Sequence, residues 1–328
     1  MPITEAEIAR ICNVSRTTVD RALKNKPGIR PETRERICAV ARQHDYRPNF
    51  LASSLSTGRT HSIGVIVFDL YNQHFSQLVN AIEGYFFEIG IYTYICLSHK
   101  DKQRESDLIR SLIDRQVDGI LLVPINDSES YSSWLRSLGV PIVAISNRLP
   151  GLPFVSGDNR DGVYRGMEQL YACGLRTVYF VCPPLRYKGT ENLYAQEMRA
   201  AGYMEFMNAH PDMTGELIVS ANYQERVLEL LRDAPERPGI FCSSDLFMLA
   251  IRKRIIDLGW DVDGCCALMG MDGLDFLDHL TNRPPSVTYP AGDIGQASAK
   301  LLDDLMNHRP AQQEILLPCP INLGSTGI

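Results

Sequence analysis

Residues 13–23 read NVSRTTVDRAL, and their pattern decides the fold of the first part of the chain. Val19 and Leu23 have the i, i+4 spacing that places both side chains on one side of a helix. The other side is polar and carries Arg16, Thr17, Thr18 and Arg21. The stretch therefore predicts a short helix that buries one apolar stripe and leaves a polar face free for a partner.

The residues before this helix predict another helix, joined to it by a tight turn. Thr4 and Glu7 have the T-x-x-E spacing of a capping box, which begins a helix. Asn13 stands where the turn needs a left-handed backbone, and Ser15 is placed to cap the next helix. Two short helices joined in this way form a helix-turn-helix.

A third helix is expected after Pro31, a residue that suits the first turn of a helix. Its apolar face can close a core with the two preceding helices. The core residues that we predict are Ile8, Val19, Leu23, Ile37, Val40 and Ala41. The first 47 residues are therefore expected to form a three-helix domain.

The polar face of the second helix has side chains of the kind that read DNA bases. Arg16 can donate two hydrogen bonds to a guanine, and Thr17 can touch a thymine methyl group or a phosphate. Asp20 lies on the same helix and can either accept from a cytosine amino group or hold Arg16 and Lys24 in place. We favour the second role for Asp20.

Charge is distributed unevenly along the chain, whose net charge is −6. Residues 1–60 contain 11 Lys and Arg against six Asp and Glu, whereas residues 61–328 contain 22 against 33. A basic segment joined to an acidic body indicates a polyanionic partner for the first segment only.

A short helix and a linker are expected at 48–60. Pro48 can open the helix and Gly58 can end it, and the apolar side between them carries Leu51, Ala52 and Leu55. Because two helical turns are marginal alone in water, we expect this helix to form only against a partner.

From residue 63 onward, short apolar runs alternate with amphipathic stretches. The runs are IGVIVFD, YTYICLS, GILLVP and PIVAIS, followed by TVYFVCP, ELIVSA, GIFCSS and ALMGMD. This alternation is typical of βαβ units on a parallel sheet, and the two series predict two α/β lobes.

Open parallel sheets bind ligands beyond the carboxyl ends of their strands, so the residues that follow each apolar run are candidates for a binding site. These are 69–75, 126–127, 146–148, 183–188, Tyr223, 243–245 and 271–273. The set is rich in hydrogen-bonding groups with aromatic rings among them, which suits a cleft for a small polar molecule.

The sequence contains no motif for catalysis, metal binding or membrane insertion. It has no nucleophile elbow, zinc-protease motif, Walker loop or dinucleotide fingerprint, and its nine cysteines are scattered without a C-x-x-C. No apolar run reaches the roughly 18 residues that span a bilayer, and no secretory signal is present. We expect a cytoplasmic protein that binds no cofactor, metal or membrane and is not an enzyme.

Several segments resemble the lactose and galactose repressor (LacI/GalR) family. In the first 65 residues these are VSRTTVDRAL, RPETRERI, YRPNFLASSL and TGRTHSIGV, in the family's order and spacing. FDLYNQHF, GDNRDGVYRGMEQLYACG, FCSSDLFMLAI and MGMDG are similar to family segments in the body. The resemblance therefore extends over nearly the whole chain.

The resemblance implies an α/β fold with a three-helix helix-turn-helix head and a hinge helix, followed by a two-lobed periplasmic-binding-protein-like body of parallel sheets. The implied domains are a DNA-binding domain at 1–47 and a hinge helix with its linker at 48–60. The effector-binding N-terminal lobe is placed at 61–160 and 291–322, and the C-terminal lobe at 161–290.

The resemblance also implies how DNA is bound. In the family, the hinge helices of two subunits pair and push a leucine into the minor groove, and here that leucine is Leu55 with Ala52 beside it. The implied partners are a second copy of the chain and a pseudo-palindromic double-stranded DNA operator. The implied DNA-binding residues are Ser15, Arg16, Thr17, Thr18, Asp20, Arg21, Asn49, Ala52 and Leu55.

Effector-binding residues follow from the same resemblance. RAAGY makes Arg199 the effector-binding arginine, and MGMDG makes Asp272 the carboxylate that accepts from ligand hydroxyls. We expect these two side chains to face each other across the cleft, with the ring of Tyr223 stacked on the ligand. The other implied effector-binding residues are His74, Phe75, Ser146, Asn147 and Ser244, of which the first two could instead be packing residues.

Some positions depart from the family pattern. Ser244 stands where the family has Asn, and Ser146 and Asn147 replace a common aspartate, so the usual contacts to sugar hydroxyls must change. Asp158 and Asn159 are interpreted first as a helix N-cap and only second as ligand-binding groups.

We therefore expect a sequence-specific DNA-binding regulator, a repressor, whose operator affinity is controlled by a sugar or sugar derivative bound between the lobes. An activator or a co-repressor-dependent regulator of the same fold is the alternative. A sugar-binding transport receptor with this body fold would need a secretory signal and no basic head, which is the opposite of what the sequence shows.

Overall fold

The computed structural model describes residues 3–46, 58–183 and 192–325. The chain divides into two compact units, Met1–Thr60 and His61–Ile328. Among the predicted site residues, Asn49, Ala52 and Leu55 lie outside the described residues, as does 184–188 of the candidate cleft segments. The hinge helix at 48–60 therefore stays a prediction.

The first unit contains three helices, α1 (Glu5–Ile11), α2 (Arg16–Leu23) and α3 (Pro31–Gln43). The predicted capping box is confirmed: the Thr4 hydroxyl accepts from the Glu7 amide, and the Glu7 carboxylate accepts from the Thr4 amide at 2.8 Å. Asn13 has a φ of 49°, as the tight turn requires. The predicted core residues lie between the helices, with Ile8, Val19 and Ile37 fully buried.

The first half of the second unit alternates strands and helices. In chain order these are β1 (Ser62–Val67), α4 (Gln73–Glu88), β2 (Tyr92–Leu97), α5 (Lys102–Asp114), β3 (Gly119–Leu122), α6 (Glu129–Ser137), β4 (Ile142–Ile145) and β5 (Phe154–Gly157). All of these strands except β2 are buried along their whole length, which explains why they appear as continuous apolar runs in the sequence.

The alternation continues through the second half. The elements are α7 (Asn159–Ala172), β6 (Val178–Val181), α8 (Tyr194–Ala209), β7 (Leu217–Ile218), α9 (Tyr223–Asp233), β8 (Gly239–Cys242), α10 (Asp245–Asp257), α11 (Val262–Cys265), β9 (Ala267–Asp272), a 3-10 helix (Asp275–His279), β10 (Ser286–Thr288), α12 (Ala291–Met306), β11 (Glu314–Leu317) and β12 (Ile321–Asn322).

Two six-stranded sheets form the two predicted lobes. The first has the strand order β11-β5-β4-β3-β1-β2, and all of its pairings are parallel. The second has the order β12-β10-β9-β8-β6-β7, in which β12 runs antiparallel to its neighbour and the other pairings are parallel. The two-lobed α/β prediction is confirmed.

The chain passes between the lobes three times, after β5, after β10 and after β11. Helix α12 packs against α4 and the first sheet, so the chain returns to the first lobe at residue 291. The predicted first-lobe segment 291–322 is wrong at its last two residues, because β12 pairs with β10 of the second sheet.

None of the helices in the described part of the chain combines the length and the apolar character of a membrane-spanning segment.

Candidate effector cleft and DNA-binding face

A cavity of about 320 Å3 lies between the two lobes, at the carboxyl ends of their strands. Seven of the eight predicted effector-binding residues line it: His74, Phe75, Ser146, Asn147, Arg199, Ser244 and Asp272. The structure thus brings together residues that are up to about 200 positions apart in the sequence. Their role as ligand-binding groups stays a prediction.

Arg199 and Asp272 form a buried ion pair, with 3.2 Å between Nη1 and Oδ1. Arg199 belongs to α8 and Asp272 ends β9, so both lie in the second lobe. The expectation that they face each other across the cleft is therefore wrong, because α8 lies on the same lobe as β9. Arg199 Nε also donates to Asn159 Oδ1 at 2.8 Å, and Nη1 donates to the carbonyl of Ser243.

Asp158 and Asn159 have different roles in the structure. Asp158 caps α7 by accepting from the Asp161 amide at 3.0 Å, as predicted. Asn159 is buried and orients the Arg199 guanidinium through its carbonyl oxygen. Asn159 is thus a positioning residue for Arg199.

Asp272 has a second partner and an acidic neighbour. Its Oδ2 accepts from the Ser244 hydroxyl at 2.7 Å, and burial raises the pKa of this carboxyl although Arg199 opposes the shift. Asp245 accepts from the Ser286 hydroxyl at 2.7 Å and from the Leu274 amide at 2.9 Å. Burial and the nearby Asp272 raise the pKa of Asp245 to about 6.

Gly270 makes room for the Asp245 carboxylate. A Cβ at position 270 would lie 2.0 Å from Asp245 Oδ1, so a side chain there would displace the buried carboxyl group.

His74 lies at the start of α4, with its ring centroid 4.9 Å from that of Phe75 and 4.8 Å from that of Tyr289. Burial, and then the charge of Arg199, lower the pKa of His74 to about 3, so the ring is neutral at neutral pH. Its Nδ1 is buried and has no hydrogen-bond partner within the described ranges. His74 therefore offers a free polar atom at the cleft.

Sequence reasoning missed Tyr289, which follows β10 and lines the cleft. Its hydroxyl accepts from the Gly157 amide at 3.2 Å and donates to Ser146 at 3.2 Å. The rule of looking just after each strand applies to this residue too. Strand β10 has only three residues, however, so it leaves too short an apolar run to mark a strand in the sequence.

Asn147 lines the cleft, but its amide is bonded to the protein. Its Nδ2 donates to the carbonyls of Pro124 at 3.2 Å and Asn192 at 3.0 Å, and its Oδ1 accepts from the Ala195 amide at 3.3 Å. Asn147 thus joins the first lobe to the segment that begins α8.

Tyr223 does not line the cavity that the described residues enclose, so its predicted stacking role is not supported by its position. It begins α9, and its ring centroid lies 5.3 Å from that of Phe247 of α10. Phe247 is a second-lobe aromatic side chain on the cleft wall, and sequence reasoning missed it.

A buried carboxylate supports the cleft wall from behind. Glu105 of α5 accepts from the Ile125 amide at 2.7 Å, from Asn126 Nδ2 at 2.8 Å and from the Tyr131 hydroxyl at 2.7 Å. Burial raises the pKa of this carboxyl, opposed by the three donors. Glu105 therefore anchors the loop after β3, which places Ile125 at the cleft.

The predicted DNA-reading face of α2 is exposed at Arg16 and Thr17. Asp20 pairs with Lys24 at 2.6 Å, which is half of the role that we favoured. The other half is wrong, because Arg16 pairs with Glu5 of α1 at 3.0 Å. The packing of α1 beside α2 provides this partner, which no spacing within α2 reveals.

The other predicted residues of this face are tied into the head. The hydroxyls of Ser15 and Thr18 lie 2.8 Å apart at the helix cap. Arg21 Nη2 donates to the Pro27 carbonyl at 2.6 Å. Arg16 and Thr17 are thus the two predicted side chains that are most available to a base.

Comparison with known proteins agrees with this architecture. The model of bacterial regulatory proteins of the lacI family matches residues 5–49, and that of the periplasmic binding protein-like domain matches residues 167–326. The chain therefore joins a DNA-binding domain of the lacI family to a periplasmic-binding-protein-like domain. It is accordingly a DNA-binding transcriptional regulator and not an enzyme.

Similarity to relatives of this family covers nearly the whole chain. Catabolite control protein A of Priestia megaterium is 26% identical over 327 residues, 96% of each chain. The sucrose operon repressor of Pediococcus pentosaceus is 28% identical over 90% of each chain. The lac repressor dimer bound to operator and the anti-inducer ONPF shares the fold, with a TM-score of 0.85, 20% identity and 100% coverage of both chains.

Proposed function

We propose that this protein is a repressor that binds a pseudo-palindromic operator as a homodimer and responds to a small polar effector in the interlobe cleft. The observation that carries the proposal is the cleft itself, which gathers polar side chains of both lobes in a chain whose second helix also exposes Arg16 and Thr17. Its proposed domains are the DNA-binding head at 1–47, the hinge helix and linker at 48–60, the first lobe at 61–160 with 291–320, and the second lobe at 161–290 with β12.

The exposure of the Arg16 side chain and the weakness of its ion pair favour a role in reading DNA bases. Its side chain is 70% exposed, and an ion pair as exposed as the one with Glu5 contributes only about 0–1 kcal/mol. A guanine edge offers two acceptors in one plane, so it can displace Glu5 from the guanidinium. Glu5 therefore holds Arg16 in place without preventing base contact.

Arg16→Ala is expected to weaken operator binding by about 1–3 kcal/mol and to relax the preference at one base pair in each half-site. The base contact is lost at one position, whereas contacts to the phosphates remain. Selection from a random DNA pool, run on the wild type and the variant, measures both effects.

The matched control is Arg42→Ala, which removes the same charge from α3. It should leave the selected motif unchanged. A wild-type pool without a palindrome, or an Arg16→Ala motif identical to that of the wild type, would contradict the proposal.

The homodimer has a candidate surface at one edge of the first sheet. Strand β2 is an edge strand, and it exposes Tyr92 by 65% and Ile95 by 45%. Phe87, at the end of the preceding helix, is 72% exposed. Large apolar side chains grouped at a sheet edge are typical of a protein interface.

Tyr92→Arg combined with Phe87→Arg is therefore expected to convert a dimer to a monomer in sedimentation at micromolar concentration, and to abolish tight operator binding. Leu316→Arg is the control, since Leu316 is 44% exposed on β11, the opposite edge of the same sheet. A wild-type protein that sediments as a monomer with and without DNA would refute the homodimer.

A further inference from the structure

We propose that the effector of the cleft is a polyhydroxylated anion, either a sugar acid or a sugar phosphate, whose negative group is bound by Lys100 of the first lobe and Arg199 of the second. The proposal rests on the proposed function and names the class of ligand for the same site. Three features of the cleft carry it: its charges, the environment of Lys100 and the helices that begin there.

The charge of the cleft is opposite to that of the body. Among the described residues that line it, the charged side chains are Lys100, Arg199 and Asp272, while His74 is neutral at neutral pH. Residues 61–328 contain 22 Lys and Arg against 33 Asp and Glu, so the net positive lining is opposite in sign to the net charge of the body. A positive cleft in an acidic surface favours an anion.

Among the described residues that line the cleft, Asp272 contributes the carboxylate, and both of its oxygens already accept hydrogen bonds from the protein. Asp272 Oδ1 accepts from Arg199 and Oδ2 accepts from Ser244. The ion pair offsets one of the two positive charges, which leaves the charge of Lys100 without a counterpart on the described part of the cleft wall. A neutral sugar would supply no charge to balance it.

Lys100 is placed to meet a ligand. It follows β2 in a turn where its φ is 58°, and its Nζ lies 5.7 Å from the ring centroid of Phe68, another cleft residue. Lys100 is exposed and makes no ion pair within the described part of the chain. An ammonium group over an aromatic wall and without a carboxylate partner suits an anionic group of a ligand.

Three long helices also begin at the cleft and add to its positive potential. The first residues of α4, α8 and α10 contribute His74, Ala195 and Leu246 to the lining, and these helices have 16, 16 and 13 residues. Each helix N-terminus carries the equivalent of about half a positive charge. The unpartnered Nδ1 of His74 provides one further hydrogen-bonding atom. Helix N-termini and cations together favour a carboxylate or phosphate.

The test compares neutral sugars with their anionic derivatives of the same carbon number. D-glucose is paired with D-gluconate and with glucose 6-phosphate, and D-ribose with D-ribonate and ribose 5-phosphate, with inorganic phosphate alone as a further probe. Thermal unfolding and calorimetry measure binding, and operator affinity is measured with each ligand that binds. We expect a member of the acid or phosphate series to stabilise the protein, while the neutral sugar of the same carbon number does not.

Lys100→Gln is expected to weaken that binding at least tenfold. Lys102→Gln is the control, because Lys102 is two residues away on the same lobe and does not line the cavity. If only the sugar acids bind, or only the sugar phosphates, the result identifies which of the two anionic groups the site takes. Raising the salt concentration should weaken binding of the anion to the wild type.

Each contrary result has a separate meaning. The anionic class of ligand would be overturned if neutral sugars bound as well as their acids, or if no acid or phosphate stabilised the protein. It would also be overturned if Lys100→Gln bound the anion as tightly as the wild type, or if inorganic phosphate bound while no sugar derivative did. A neutral sugar that changes operator affinity would overturn this inference and leave the proposed function standing. A ligand that binds in the cleft without changing operator affinity would contradict the proposed function itself.

Discussion

Replacing Arg199 with Ala is expected to lower the free energy of unfolding of the body by about 3–5 kcal/mol. The guanidinium is buried and paired with Asp272, so its removal leaves that carboxylate inside the protein without a counter-charge. The contacts to Asn159 and to the Ser243 carbonyl are lost as well. Since Arg199 lines the cleft, effector binding is expected to weaken more than tenfold.

Urea denaturation followed by circular dichroism measures the loss of stability. Adding Asp272→Asn to Arg199→Ala removes the unpaired charge, so the double variant should recover part of the loss. Arg165→Ala is the control, because its partner Asp161 is 4.0 Å away at the surface, and it should change stability by about 0.5 kcal/mol or less. A loss as small as that of the control would contradict the prediction.

Replacing Asp245 with Asn is expected to change how stability depends on pH. The pKa of Asp245 is raised from 3.8 to about 6 in the folded protein, so the folded state binds the proton more tightly than the unfolded state. The wild type therefore loses stability as the pH rises from about 4 through 6, by up to about 3 kcal/mol. The Asn side chain has no proton to lose and does not contribute this loss.

The free energy of unfolding of Asp245→Asn relative to wild type should accordingly rise between pH 4 and pH 7. The side-chain amide that this substitution introduces can still accept from the Leu274 amide and donate to the Ser286 oxygen, but the Ser286 hydroxyl proton loses its acceptor. That cost does not vary with pH, so it leaves the predicted pH dependence in place. Asp107→Asn on the exposed face of α5 is the control. A difference from wild type that is the same at both pH values would rule out a raised pKa at Asp245.

The head was predictable because its signals are local. Thr4 and Glu7, Asn13, and Ser15 with Thr18 each act within three or four residues along the chain, so the residue types and their spacing determine the cap or turn. The strands of the body were predictable for a related reason. Buried parallel strands leave continuous apolar runs that can be located without knowing their neighbours.

The position of the cleft could be predicted from the sequence, but the contacts of its side chains could be predicted only in part. The residues after β4 and β9 were found because strand ends meet at one edge of a sheet. Arg199 lies in the middle of a helix, and its assignment as an effector-binding residue came from family resemblance alone. Tyr289 and Lys100 were missed, because a three-residue strand leaves a weak signal and a lysine after a strand is usually a surface residue.

The sequence by itself determined the three-helix head with its caps, the two-lobed α/β body and the edge of the sheets where the cleft lies. Only the tertiary structure decided that Arg16 pairs with Glu5, 11 residues away, and that Arg199 pairs with Asp272, 73 residues away. Caps, turns and apolar periodicity depend on neighbours along the chain, whereas the partner of a charged side chain depends on which helix or strand packs beside it.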